Sequence, residues 1–297
     1  MRSLRPRPSL GLVFVALIAF GCGTTETARV AEDDVGQVAS EATARAIVQA
    51  QAIEAVPSLP DDPACPSGMA LVEGDYCPVV EQHCIEWQGG PGDGTGVKGQ
   101  CKRFKEPTTC AVSYRKAQRY CMDRFEWPNV RGELPRVLVS WQDARALCEN
   151  AGKRLCTEVE QNFACEGEDM LPYVYGYARD ASICSIDKPY RERTFAFTPM
   201  PTCLADEACG AAFSAIDQRV PAGSMEACQS KQGIFDLNGN VNEWGMLPDR
   251  RSPDRSGIKG GWWGPVRNRC RPTVTFHDEG DYGYEVGFRC CADAAAP

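Results

Sequence analysis

The chain has 297 residues with 40 acidic and 32 basic side chains, giving a formal net charge of −8. A negative balance of this size argues against nucleic acid or an anionic surface as a partner, because phosphates are bound by lysine and arginine. Seventeen cysteines against two histidines point to disulfides in an oxidising compartment, and no C-x-x-C pair supplies the usual spacing of structural zinc.

Arg2, Arg5 and Arg7 precede an apolar run from Leu10 to Phe20 that ends in Gly21-Cys22. This reads as a secretory signal over residues 1–21. The run is shorter than the about 20 apolar residues a spanning helix needs. A small residue before a cysteine at its end resembles a bacterial lipobox, in which cleavage leaves Cys22 as the lipidated first residue; ordinary secretion is the other reading. The expected location is then the extracytoplasmic side of a bacterial envelope, with membrane attachment through lipid on Cys22. Loss of the three signal arginines takes the charge from −8 to −11.

Residues 22–60 read as a tether rich in Ala, Glu, Thr and Asp, closed by Pro57 and Pro60, with a short helix expected over Val38–Ala55. The globular domain is expected over 61–293. Within it, Met69–Val72, Leu138–Val139 and Gly287–Cys291 read as short strands. Residues 77–120 carry several cysteines and the run Gly89-Gly-Pro-Gly-Asp-Gly-Thr-Gly, which reads as a stapled surface insertion. A helix should begin after Ser140 as N-cap, place Ala144, Leu147 and Cys148 on one face, and stop at Ala151-Gly152. A second should start at Thr157, where Thr-Glu-Val-Glu forms a capping box with Glu160, and carry Val159, Phe163 and Ala164 inward.

Five segments in order then carry a specific resemblance: Cys65-Pro-Ser-Gly-Met-Ala-Leu-Val, Cys121-Met-Asp-Arg-Phe-Glu, Val139-Ser-Trp-Gln-Asp-Ala with Gly152-Lys-Arg-Leu and Thr157-Glu, Gly239-Asn-Val-Asn-Glu-Trp, and Lys259-Gly-Gly-Trp-Trp through Gly287-Phe-Arg-Cys-Cys291. Over about residues 65 to 291 the chain resembles the formylglycine-generating enzymes, or sulfatase-modifying factors. The resemblance implies an α+β, disulfide-rich fold with little regular secondary structure, related to complex C-type-lectin-like folds. It implies disulfides Cys148–Cys290 and Cys165–Cys270; Cys156 and Cys291 sit beside these positions, so a Cys156–Cys291 bond is expected, with a swap to Cys290 as its competitor. It also implies a calcium ion held by the side chains of Asp236 and Glu243 and the carbonyls of Gly239 and Val241, a ligand mixture calcium accepts. The family's second calcium site would fall at Ser185 and Ile186, where Ser replaces the usual Asn.

The family's activity is oxygen-dependent conversion of cysteine to formylglycine, using copper(I) bound by two thiolates that follow an Arg-Gly-Gly-Ser motif. Here the corresponding stretch runs from Lys259 to Cys270 with one cysteine, and Trp262 stands in place of the serine. An ungapped count puts Pro265 and Cys270 at the copper positions; the better sequence match gives Cys270 to the family's structural disulfide. Neither supplies two thiolates. The related three-histidine iron site cannot be built from His83 and His277. Copper and iron are therefore not expected, and the reading is a binding or scaffold module whose groove, lined by Trp262, Trp263, Arg267, Asn268 and Arg269, takes a protein or peptide ligand. The alternative is a metal-dependent oxidase or maturation enzyme acting on an extracytoplasmic protein or peptide.

Overall fold

The computed structural model describes residues 60–89 and 100–296. The expected signal, Cys22, the tether helix and the tip of the insertion lie outside them. The main sheet has four strands in the order β1 (Met69–Tyr76), β6 (Lys116–Asp123), β11 (Cys290–Asp293), β7 (Arg154–Leu155). All three pairings are antiparallel. A three-stranded sheet sets β8 (Asn242–Met246) between β10 (Val286–Phe288), in parallel, and β9 (Ser256–Lys259), in antiparallel.

The two expected helices form for the local reasons the sequence supplies. In α1 (Trp141–Asn150), Ser140 accepts from the Asp143 amide while the Asp143 carboxylate accepts from the Ser140 amide; α2 (Glu158–Glu166) has the same reciprocal cap between Thr157 and Glu160. Each cap satisfies orphan amides at the helix start. Ala144 and Cys148 point inward from α1 and Phe163 and Ala164 from α2, whereas Leu147 and Val159 are only partly buried. Trp141 and Trp244 lie fully inside the core and tie it together: their indole N–H groups donate to the carbonyls of Gly245 (3.0 Å) and Val139 (2.9 Å).

Three expectations need correction. Leu138–Val139 is no strand, because Leu138 has φ of 54° and its amide donates to Gly283 while its carbonyl accepts from Met200. A β-branched or bulky residue at positive φ breaks an extended ladder. The Gly287–Cys291 segment is two strands, β10 and β11, belonging to different sheets, and buried Arg289 stands at the switch between them. The insertion ends before 120: Lys116 already pairs with Tyr76 in the main sheet.

What remains of the insertion is two small ladders, β2 (Val80–Glu81) with β5 (Thr109–Cys110) and β3 (Cys84–Trp87) with β4 (Cys101–Phe104). Cys77–Cys110 and Cys84–Cys101 staple them. They are not merely a surface excursion, since Phe104 is buried with its ring 6.0 Å from Tyr173, and the Tyr173 hydroxyl donates to the Cys101 carbonyl at 2.8 Å. Two helices not foreseen, α3 (Met200–Ala205) and α4 (Glu207–Ile216), are joined at Asp206 and closed by Cys203–Cys209. Proline at the start of α3 and the Asp206 break gave no continuous helical period to read.

Candidate functional site

The Gly-Asn-Val-Asn-Glu-Trp segment is a tight turn leading into β8, and its backbone is forced. Asp236 and Asn240 adopt φ of 59° and 52°. At Gly239, with φ of 86°, an added Cβ would meet the Ser185 carbonyl at 2.4 Å. Glycine alone permits that approach. Around the turn three carboxylates are buried together. Glu126, which the sequence placed in the Asp-Arg-Phe-Glu motif without a role, accepts from the Val241 amide (3.1 Å) and from Asn240 Nδ2 (2.7 Å). Asp236 Oδ2 accepts from the Gly223 amide at 2.7 Å. Glu243 is gripped by Arg289 through two bonds of 2.6 and 2.8 Å.

One guanidinium thus faces three acids. Burial, reinforced by the neighbouring carboxylates Asp236 and Glu243, pushes the Glu126 carboxyl well above its ordinary range. Burial likewise raises Asp236 to about 6, because an apolar setting disfavours the charged form. Asp236 Oδ1 and Ser185 Oγ are buried without a hydrogen-bond partner, and such atoms call for an ion, a water or a proton. Among the described residues no three His, Cys, Asp or Glu side chains cluster as a metal-binding group. The expected calcium set needs only two carboxylates and two carbonyls. It fits in this respect: Asp236 offers a free oxygen, and Glu243 Oε1 has a second lone pair beside its bond to Arg289, while Oε2 already accepts from both Arg289 and Gln161.

In the stretch from Lys259 to Arg271, Cys270 is bonded to Cys165. Cys148 pairs with Cys290 and Cys156 with Cys291. Cys65–Cys121 and Cys184–Cys228 complete eight disulfides among the described residues. The expected groove divides. Trp263 and Asn268 are both 0% exposed, which corrects their assignment: Trp263 packs with Val137, Phe213 and Val241, and Asn268 bridges Arg179 (2.6 Å) and the Trp262 carbonyl (2.5 Å). Asn268 must lie there because Gly261, at φ of 77°, leaves room for its amide; an added Cβ would come within 2.7 Å. Trp262, Arg267 and Arg269 are partly exposed. Trp262 stands edge-on to Tyr284 at 5.8 Å, and Arg269 lies over the Phe104 ring at 5.2 Å. Burial holds the Arg267 and Arg269 guanidinium pKa values below their ordinary level.

Lys259 opens a motif in the sequence but has no role of its own there. It is buried, and its ammonium faces Asn162 Oδ1 (2.5 Å), the carbonyls of Arg271 (2.9 Å) and Pro272 (3.2 Å), and Thr273 Oγ1 (3.2 Å). Burial brings its pKa down to about 7. His277, the one histidine near this region, is partly exposed, 3.3 Å from Asp281. His83 lies near exposed Glu81 at 3.8 Å.

Comparison with known proteins agrees with these motifs. The family model described as the sulfatase-modifying factor enzyme 1-like domain matches residues 72–294. The chain is 30% identical over 174 residues to the Bos taurus protein named inactive C-alpha-formylglycine-generating enzyme 2, covering 56% of this chain and 52% of that one. The Mus musculus protein of the same name is 31% identical over 174 residues, covering 56% and 51%. The chain therefore spans about half the length of these curated relatives. Among solved structures it is similar to CarF (TM-score 0.46, 15% identity, 77% of this chain and 98% of that one) and to PvdO from Pseudomonas aeruginosa (0.43, 17%, 79% and 97%). With a match across residues 72–294, little regular secondary structure and eight disulfides, this chain belongs to the family of the sulfatase-modifying factor enzyme 1-like domain.

Proposed function

We propose that this chain is an extracytoplasmic, lipid-tethered member of its family that binds a protein or peptide and does not oxidise cysteine. The observation that carries the reading is the fate of Cys270: the single cysteine of the stretch that holds the copper thiolates in active relatives is bonded to Cys165. A disulfide sulfur is not a thiolate, and the family's copper(I) site is built from two thiolates. The name "inactive" borne by the two mammalian relatives supports the same reading. Eight disulfides suit an oxidising compartment, and among the described residues no helix is long and apolar enough to cross a membrane. Lipid on Cys22 is proposed as the attachment, and replacing Cys22 by Ser should then release the protein from the membrane fraction.

The binding surface is proposed around Trp262, Arg267 and Arg269, whose aromatic and guanidinium groups are common anchors of recognition. Calcium is proposed at Asp236, Glu243 and the carbonyls of Gly239 and Val241. There it would neutralise buried carboxylate charge and hold the turn. The test is metal analysis of full chain purified with its disulfides intact, with oxygen uptake measured against cysteine-containing peptides and a reductant. Near-stoichiometric calcium without redox metal or uptake supports the reading. Stoichiometric copper or iron with turnover overturns it in favour of the oxidase.

A further inference from the structure

A cavity of about 640 Å³ opens beside the turn at 229–233, lined by Pro60, Arg124, Leu171, Val174, Tyr175 and residues 229–233. It shares no lining residue with the Trp262 surface. Its volume is within the range of small-ligand sites. The charge of its wall departs from that of the chain: Arg124 and Lys231 contribute two cations and no lining residue is a carboxylate, in a protein of net charge −8.

Arg124 is 8% exposed. Its Nη atoms donate to carbonyls, those of Gln232 (3.1 Å), Gly233 (3.3 Å) and Pro60 (2.9 Å). Its Nε has no partner, and among the described residues no carboxylate makes an ion pair with it. Carbonyl dipoles fix the guanidinium in place; Asp61 and Asp62 act on it through space without forming an ion pair, so they offset part of its charge and the remainder of its positive potential reaches the cavity. Lys231 stands at the rim, 74% exposed in its side chain and shared with the exposed Asp169 at 2.5 Å. Leu171, Val174 and the Tyr175 ring supply an apolar side, and Gln229, Ser230 and Gln232 supply polar groups.

We infer that this cavity is a binding site for a ligand with a carboxylate head and an apolar body, the head directed to the Arg124 and Lys231 side and the body against Leu171, Val174 and Tyr175. A free acyl acid and the C-terminus of a peptide share that chemistry. Both are tested by calorimetric titration of the full chain with octanoate and with N-acetyl-Leu-Leu as the free acid, each beside its amide.

The expected result is that at least one acid binds about tenfold tighter than its amide, with affinity falling as salt rises. Whichever acid binds names the source. Lys231→Glu, at an exposed position that the fold does not depend on, should weaken the acid about tenfold. Gln229→Trp should block the cavity for acid and amide alike. Arg124→Gln should abolish binding, with a thermal melt to show that the variant is folded. Equal binding of acid and amide, no effect of Lys231→Glu, or no heat at millimolar acid would each overturn the inference.

Discussion

Replacing Arg289 by methionine isolates the electrostatics of the buried acid cluster. The guanidinium is fully buried and makes four hydrogen bonds: two to Glu243 (2.8 and 2.6 Å), one to the Asp123 carbonyl (3.2 Å) and one to the Phe235 carbonyl (2.8 Å). Methionine fills much of the volume but leaves Glu243 with only the long bond from Gln161 Nε2 at 3.4 Å. Glu126 and Asp236 then lose their common cation as well. Breaking one side of a buried pair costs about 3–5 kcal/mol, a large share of the roughly 5–15 kcal/mol that holds a domain together. For a domain of this size the melting temperature should fall by about 6–20 °C. Calorimetry under non-oxidising, non-reducing conditions with chelator present gives that number. The decisive comparison is the double variant Arg289→Met with Glu243→Gln. If the cost is uncompensated charge, removing the carboxylate should restore about 2 kcal/mol or more of it. A double variant as unstable as the sum of the two singles would refute the charge argument and leave packing as the cause.

Three further predictions rest on separate features. Replacing Cys165 and Cys270 by serine removes a bond between positions 105 residues apart. Because Cys156–Cys291 still joins the same segments, the loop it closes is only about 30 residues, for which the chain-entropy model gives a loss of about 3–4 kcal/mol; a loss under about 1 kcal/mol in non-reducing urea titrations would defeat that model here. Trp244→Phe should cost about 1–3 kcal/mol more than Trp263→Phe, because Trp244 leaves the buried Val139 carbonyl without its donor whereas the Trp263 indole N–H has no partner to lose. Equal costs would show that ring volume decides both. Lys259 loses its proton near pH 7 in the fold and near 10.4 when unfolded, so between these values the unfolded chain binds the extra proton and stability should rise with pH. Urea midpoints at pH 7 and 9 for the native chain and for Lys259→Met test this, and an unchanged slope in the variant would remove Lys259 as the cause.

How far the sequence reaches depends on the range of the interaction that decides each feature. The capping boxes at Ser140 and Thr157 are complete within four residues, so both helix starts could be read directly and the structure forms them. The family motifs fixed the fold class for a related reason: each is a short run whose backbone demands particular residues, as Gly239 beside the Ser185 carbonyl illustrates. Cysteine number pointed to oxidation, but spacing could not assign pairs such as Cys184–Cys228 or Cys65–Cys121, because closure depends on where distant segments meet.

Tertiary structure alone decided the rest. Leu138 could have been a strand until its left-handed backbone tied it to Gly283 and Met200. Trp263 and Asn268 carried the same surface promise as Trp262 in one dimension; packing against Val137, Phe213 and Arg179 put them inside. The cation-lined cavity joins residues 60, 124, 171, 174, 175 and 229–233. No local pattern links those positions, so only the folded chain could bring their charges to one wall.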